Sequence, residues 1–512
     1  MKGLAWAFVV GCLGVCAPLC AQEIGCGEAG APTPCRQIVS ISRVAGGDVG
    51  ARIVAAQARM GSQPKIFVVD QAGVVSTAFT LGTSNSLQFS APVTIAAQIT
   101  LGGENRISCV PRGSLQIVSG AAFQTRASGL ELDHCTATGD GSIGATLLDA
   151  SDASHVRVHD NRLMALGAVQ ARGGGDLRVE SNQIIWPAIT KGYGIIWANV
   201  ADVVVSHNTL KNVANGVEFF NEDADPDHKG PFTRAAILLH PGHAVISDNT
   251  CVNAKACYWG SVGHDILMTR NDATNCEDVC YDLEGSVDSR VEGNRGRNSG
   301  NGVGATFFFT DHVTFTGNDF SSSTGSPVIS IHNSSLRPDR NRFLLIQGNK
   351  LTCLGRVCAG VKGDPSADLT VDGNHLTNAM ISLPMYGGNT VITNNDLIFS
   401  LADTRSFSAI AGPFLLNGAK LLVAGNVVKS VPQQDQSACI SDTSGDFNSN
   451  VTITVSGNQC LSGFPIDLLT ENSGTNNGTG VATTISGNVW NANRVIHVHK
   501  TGNRDVYERT NR

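Results

Sequence analysis

Charge and aromatic rings are scarce in this chain. Only 15% of its 512 residues are Asp, Glu, Lys or Arg and 6% are aromatic, and no basic stripe interleaved with aromatics runs along it. With a formal charge of −7 and a pI near 6.0 it has no general attraction for a phosphate backbone, which sets nucleic acid aside as a partner. Long apolar runs are scarce too. None after the first 21 residues is long enough for a membrane helix, so membrane insertion is not expected. Helix formers are few, whereas 57 Gly with abundant Val, Ile, Thr, Asn and Ser supply strands and turns, and the chain reads as all-β.

The opening "MKGLAWAFVVGCLGVCAPLCAQ" joins a Lys, a short apolar run and a small residue at Ala21, the pattern of a secretory signal over residues 1–21. A secreted or periplasmic location is expected. Cys12, Cys16 and Cys20 fall inside that signal, leaving 12 of the 15 cysteines for an oxidising compartment. Cys26 and Cys35, Cys251 and Cys257, Cys276 and Cys280, Cys353 and Cys358, and Cys439 and Cys460 are near neighbours. They lack CxxC spacing and histidine partners, so local disulfides are expected rather than zinc.

A short unit returns along the chain: "VRVHDNRL" at 156, "VVVSHNTL" at 203, "LLIQGNKL" at 344, "LTVDGNHL" at 369. Its Asn falls at 161, 182, 208, 249, 271, 294, 318, 349, 374, 395, 426, 458 and 488, with spacings of 21 to 26 residues stretched elsewhere by insertions to as much as 41. That period is too short for a propeller blade, and the strands lack the helical pattern of ankyrin or TPR arrays. Three short parallel strands per turn, a parallel β-helix, remain. An Asn tolerates the left-handed backbone of a tight corner, and its amide can bond to the Asn one strand spacing away. Cys109 and Cys135 occupy the same corner, 26 residues apart, with 26 more to Asn161, and are expected to join as a rung-to-rung disulfide. These corners make about 15 turns. "GGDVGARIVAAQARMG", with Asp48 as N-cap and Val49, Ile53, Ala56 and Met60 on one side, is expected to form a capping helix at 48–60. Residues 22–47 then form an N-terminal segment, 48–500 the β-helix and 501–512 a polar C-terminal tail.

The motif "GDVGARIVAAQA" followed by an apolar strand and repeated "GN" corners resembles the pectate-lyase-like superfamily of right-handed parallel β-helix proteins. The resemblance covers most of residues 48–500. It implies a substrate groove on the long face that begins about ten residues after each corner. The superfamily holds polysaccharide lyases, glycoside hydrolases, epimerases, phage tailspikes and adhesins, so the residues must decide among them.

Alternation along those strands gives two outward columns. The first holds Ile196, Glu218, Trp259, Asp282, Gly304, Ser330, Gly360 and Ser382; the second holds Ala198, Phe220, Ser261, Glu284, Thr306, His332, Lys362 and Pro384. Asp282 and Glu284 lie about 7 Å apart on one strand and Glu218 two turns away, about 10 Å, which suits the two carboxylates of glycoside hydrolysis. Trp259 lies between them to stack on a sugar, with His332 and Lys362 as further substrate-binding groups. Ordinary solubilising carboxylates are the alternative.

Two insertions border this face. In "FFNEDADPDHKGPFTR", Asp223, Asp225 and Asp227 followed by Gly230 look like a small calcium loop, or equally a solvated acidic loop; no other cofactor is required. In "NSSLRPDRNRF", Arg337, Arg340 and Arg342 superficially resemble the Arg- and Pro-containing segment of pectate lyases. The paired aspartates and Gly-His-Gly of polygalacturonases are missing; "PGHA" at 241 and "VGHD" at 262 are partial likenesses, making His243 and His264 corner or surface residues. A secreted enzyme cleaving a polysaccharide leads, as glycoside hydrolase or polysaccharide lyase. A non-catalytic β-helix that binds glycans or a cell surface is the alternative.

Overall fold

The computed structural model describes residues 23–25, 36–61, 63–118, 120–188, 192–221, 233–307, 309–332, 341–364, 367–383, 386–415, 418–443, 451–472, 481–492, 494–499 and 504–508. They form a right-handed parallel β-helix, the architecture of the pectate-lyase-like proteins. One sheet has nineteen strands, of which only Glu23–Gly25 runs antiparallel to its neighbour, so eighteen parallel rungs stack along the coil. Fifteen carry the Asn and Cys corners, and three more, at Arg36–Ser40, Lys65–Val69 and Ser86–Phe89, precede them. The second sheet supplies two strands per turn, such as Arg162–Met164 and Gly167–Arg172. At Thr209–Phe220, Thr250–Ser261 and Asp272–Glu284 the two strands fuse into one long bent strand.

Alternation drives the coil shut, because each strand sends one apolar set inward. Leu132, Val158, Val179, Val205, Ile246 and Met268 succeed one another in register and are all fully buried. Each contributes about 1.5–3 kcal/mol of apolar burial. Tyr258 stacks on Tyr281 at 5.1 Å and Tyr281 on Phe320 at 5.3 Å, filling the interior beneath the long face.

The thirteen repeat asparagines form one column. From Asn161 to Asn458 each Nδ2 donates to the Oδ1 of the next Asn, as in Asn208 to Asn249 at 3.0 Å, and also to a backbone carbonyl, here Val179 at 2.8 Å. The backbone N–H of Asn208 donates to the same Oδ1 at 2.8 Å. The left-handed residue, however, is the one before the Asn: His207, Asp248 and Arg270 have φ of 58°, 58° and 54°, and Gly293, Gly317 and Gly348 have 63°. The "GN" pair therefore divides the work, Gly taking the positive φ at least cost and Asn building the ladder. Cys109 and Cys135 are bonded across two rungs, Cα atoms 4.6 Å apart, and Cys135 N–H donates to Asn161 Oδ1, which starts the ladder. The pairs 251–257, 276–280, 353–358 and 439–460 are also disulfides. Cys26 and Cys35 lie outside the described residues.

Helix α1 runs over Val49–Arg59 with Asp48 as N-cap. Asp48 accepts from Ala51 N–H at 2.7 Å, and its other oxygen from the N–H groups of Ser76 and Thr77 at 2.7 and 2.6 Å, which ties the helix to a rung. Four hydrogen bonds favour its charged form, lowering its pKa to about 2 against the opposing effect of burial. Gly50 permits the contact, since a Cβ there would lie 2.2 Å from the Thr77 carbonyl oxygen. Short helix α2, Arg234–Ile237, buries Ile237 against Val262, Val287 and Phe309 beside the long face. At the far end Arg504–Glu508 pairs antiparallel with Arg494–His499. Among the described residues no helix is long and apolar enough to cross a membrane.

Candidate functional site

The three fused strands carry the candidate carboxylates. Register places Ile196, Glu218, Trp259 and Asp282 in one outward column and Ala198, Phe220, Ser261 and Glu284 in the next. Beyond Asp282 the columns step aside from the sequence expectation. Asp282 is followed by Ala305, Ser330 and Lys362, and Glu284 by Phe307. Gly304 turns inward because the rings of Phe315 and Phe320 occupy the space beneath it, 2.9 and 3.0 Å from where its Cβ would be. Gly360 likewise faces Leu376 and Ala379, at a register irregularity between Ala359 and Val361.

Asp282 points away from the core yet is only 2% exposed, enclosed by the half-buried Trp259 and Phe307, which pack with Ala256, Val279 and Ala305. Its carboxyl group hydrogen-bonds that of Glu284, while Oδ1 is buried with no partner among the described residues. Burial first, then the charges of Glu284 and Asp278, push its pKa well above the usual carboxylate range. Two carboxyl groups in such contact share a proton between them. Glu218, 9% exposed, is raised by burial, against an Asn215 hydrogen bond at 2.8 Å and the field of Lys255. Ser261, in the Glu284 column, is also buried with its hydroxyl unpartnered among the described residues.

His332 stacks on Phe307 with ring centres 4.5 Å apart, and burial lowers its pKa, favouring the neutral imidazole. Lys362 is exposed and lies three rungs from Asp282, about 14 Å along the coil, apart from the carboxylates. Arg337, Arg340, Asp223, Asp225 and Asp227 lie outside the described residues. Arg342 sits over the Phe343 ring at a corner. His264 is held by Asp265 at 2.7 Å and the His240 carbonyl at 2.8 Å, a structural corner.

Sequence reasoning missed a cleft of about 240 Å³ adjoining Glu218 on the N-terminal side, lined among others by Thr146, Gln170, Tyr193, Ile196 and Phe220. The register columns, extended backwards to Gln170, would have found it. It also missed Asp278, whose place between Cys276 and Cys280 in "CEDVC" was the available signal.

Residues 175–344, about a third of the chain, match the family model described as periplasmic copper-binding protein (NosD). No curated protein matches the sequence. Among solved structures, similarity extends to a mutant tailspike protein of E. coli bacteriophage HK620 in complex with a pentasaccharide: 11% identity, 93% of this chain, 84% of that one, TM-score 0.43. It extends also to a Yersinia enterocolitica family 28 exopolygalacturonase (10%, 74% and 78%, TM-score 0.37) and a mutant periplasmic alginate epimerase (11%, 82% and 85%, TM-score 0.29). These likenesses are of fold alone.

Among the described residues of the matched span no group of side chains fits a copper centre, the histidines there joining no cluster of three ligands. In the matched span Cys251, Cys257, Cys276 and Cys280 are spent in disulfides and Met268 is sealed in the core, leaving no thiolate or thioether ligand among them. Among the described residues the one metal-competent group is Glu131, Asp133 and His159, outside that span. There Arg106 already binds Asp133 at 2.8 Å, and both ring nitrogens of His159 are engaged by Glu131 and Asp160.

Proposed function

We propose that the protein is an exported glycoside hydrolase that cleaves a polysaccharide laid along the long face of the coil. The observation that carries this reading is the buried Asp282 carboxyl sharing a hydrogen bond with Glu284, in register with Glu218 two rungs away. Asp282 is the general acid, kept protonated by burial and by its neighbour. Glu284 takes the complementary charge and holds the Asp282 proton in place. Glu218 is the base that activates water on the other side of the sugar. Two rungs of about 4.8 Å leave room for that water, the spacing of an inverting enzyme. Trp259, half-buried on the rung between, is the ring placed to pack against the sugar.

A lyase must neutralise a uronate carboxylate, and the Asp282 column supplies no cation before Lys362. The five disulfides among the described residues support the exported location. One feature favours the second reading, a glycan-binding face without cleavage: burial raises Glu218 as well, whereas a base works ionised. Incubation with a panel of neutral and acidic polysaccharides separates these readings. New reducing ends without ultraviolet-absorbing products support the hydrolase; absorbing products identify a lyase; binding with neither leaves the non-catalytic face. Full activity in both D282N and E218Q overturns the assignment of roles.

A further inference from the structure

The cleft beside Glu218 belongs to the same groove as the carboxylates. Asp149, Gln170, Ile196, Glu218, Trp259 and Asp282 follow one another in a single column, so a chain lying along the coil axis runs through the cleft, which extends from the Asp149 rung to Glu218 itself, before it reaches Asp282. We propose that this cleft is a subsite for an uncharged sugar unit and that the glycan the protein takes is neutral, uronate chains being rejected. The proposal rests on the reading of the Glu218, Asp282 and Glu284 face as a glycan site, and deepens it by naming the substrate class.

The lining is the argument. Gln170 and Tyr193 carry side-chain groups with no hydrogen-bond partner among the described residues, able to donate to and accept from sugar hydroxyls. Ile196 and Phe220 add apolar surface for a ring face. Glu218 is the one charged residue in the lining; Arg172 lies two residues beyond Gln170 and Lys255 exerts its field on Glu218, but neither lines the cleft. A uronate carboxylate placed here gives up water and meets no cation in the lining, where the field of Lys255 is already directed at Glu218. It faces Glu218 within the lining, and two rungs further along the same groove lie Asp282 and Glu284. A cleft of about 240 Å³ is smaller than the roughly 300–1,000 Å³ of drug-sized sites, a size for one sugar-sized unit rather than several.

The test measures binding of the full exported chain, at pH 7 and low salt, to matched pairs of oligosaccharides that differ only in charge: gluco-, galacto- and manno-oligosaccharides against their uronate counterparts. The expected result is at least one neutral member bound about tenfold or more tightly than its uronate partner. Gln170→Arg places a cation in the cleft and should shrink that ratio roughly tenfold. Gln170→Ala, which adds no bulk, should weaken neutral binding severalfold and keep the preference. A uronate bound as tightly as its neutral partner overturns the inference and leaves the glycan face standing. A preference unmoved by Gln170→Arg overturns the cleft as its source, and no binding to any pair overturns the glycan reading and the inference together.

Discussion

Asn249 at the corner and Asp282 on the long face are equally deep, 1% and 2% exposed, and sit one rung apart, yet their polar atoms fare differently. Asn249 Oδ1 accepts from the backbone and side-chain amides of Asn208, and its Nδ2 donates to Val205 and Asn271 at 2.9 and 3.0 Å. Asp282 keeps one oxygen without a partner among the described residues and shares the other side of its carboxyl with a second acid. Burial with complete satisfaction stabilises; burial left incomplete costs stability and leaves chemistry behind. The contrast separates scaffold from site on one coil.

The largest expected effect breaks the contrast on the long face. Asp282→Asn should lower the turnover of a substrate by about 10²–10⁴, the range for loss of a general acid, without loss of stability; kinetics beside thermal unfolding check both. Breaking the corner should do the reverse. Asn249→Ala strips an acceptor from two Asn208 donors and a donor from Val205, and should cost about 2–4 kcal/mol in denaturant unfolding while the folded fraction keeps its activity.

Titration sharpens the same difference. Because Asp282 has its pKa raised on folding, the folded state holds this proton more tightly than the unfolded chain. Its contribution therefore falls as pH rises from the unfolded value of about 3.9 towards the raised one. Stability measured between pH 4 and 8 should decline with pH in the parent and decline less in Asp282→Asn. Asp48 acts in the opposite sense: lowered to about 2, its stabilisation is present above pH 4 and lost as pH falls towards 2.

The smallest effect comes from a second, wetter ladder. Asn253 donates to Asn212, Asn275 to Asn253 and Asn298 to Asn275, at 3.2, 3.2 and 3.3 Å, near solvent at the bend of the fused strands. Asn275→Gly keeps its φ of 58° and removes an exposed side chain, so unfolding should shift by less than about 0.5 kcal/mol. A cost equal to that of Asn249→Ala would erase the distinction between the two ladders.

The periodicity made the corner legible: every repeat Asn, the Cys109–Cys135 bridge and the α1 cap could be placed from spacing alone. The second ladder was legible too, each member lying four residues after a corner Asn, at 208, 249, 271 and 294. The left-handed position was misplaced by one residue because Gly and Asn both tolerate it, and only the backbone shows which does. The site columns held as far as Asp282 and Glu284. They then slipped where Gly304 and Gly360, read as outward, fit inward beneath larger neighbours. A glycine carries no polarity to mark its face, so alternation has nothing to read there. The depth of Asp282 was also hidden, since it comes from Trp259 and Phe307 on adjacent rungs.

Stacked rungs make distance along the face a counted quantity. Glu218 and Asp282 are separated by the single rung that bears Trp259, so their spacing changes only in whole steps of about 4.8 Å. Losing that one repeat would splice the Asn column from 208 to 271 and bring the two carboxylates into neighbouring positions, close to the 5–5.5 Å of retaining glycosidases. Repeat number, set by duplication or deletion of whole units, thus acts on such a face as a digital control of stereochemical outcome.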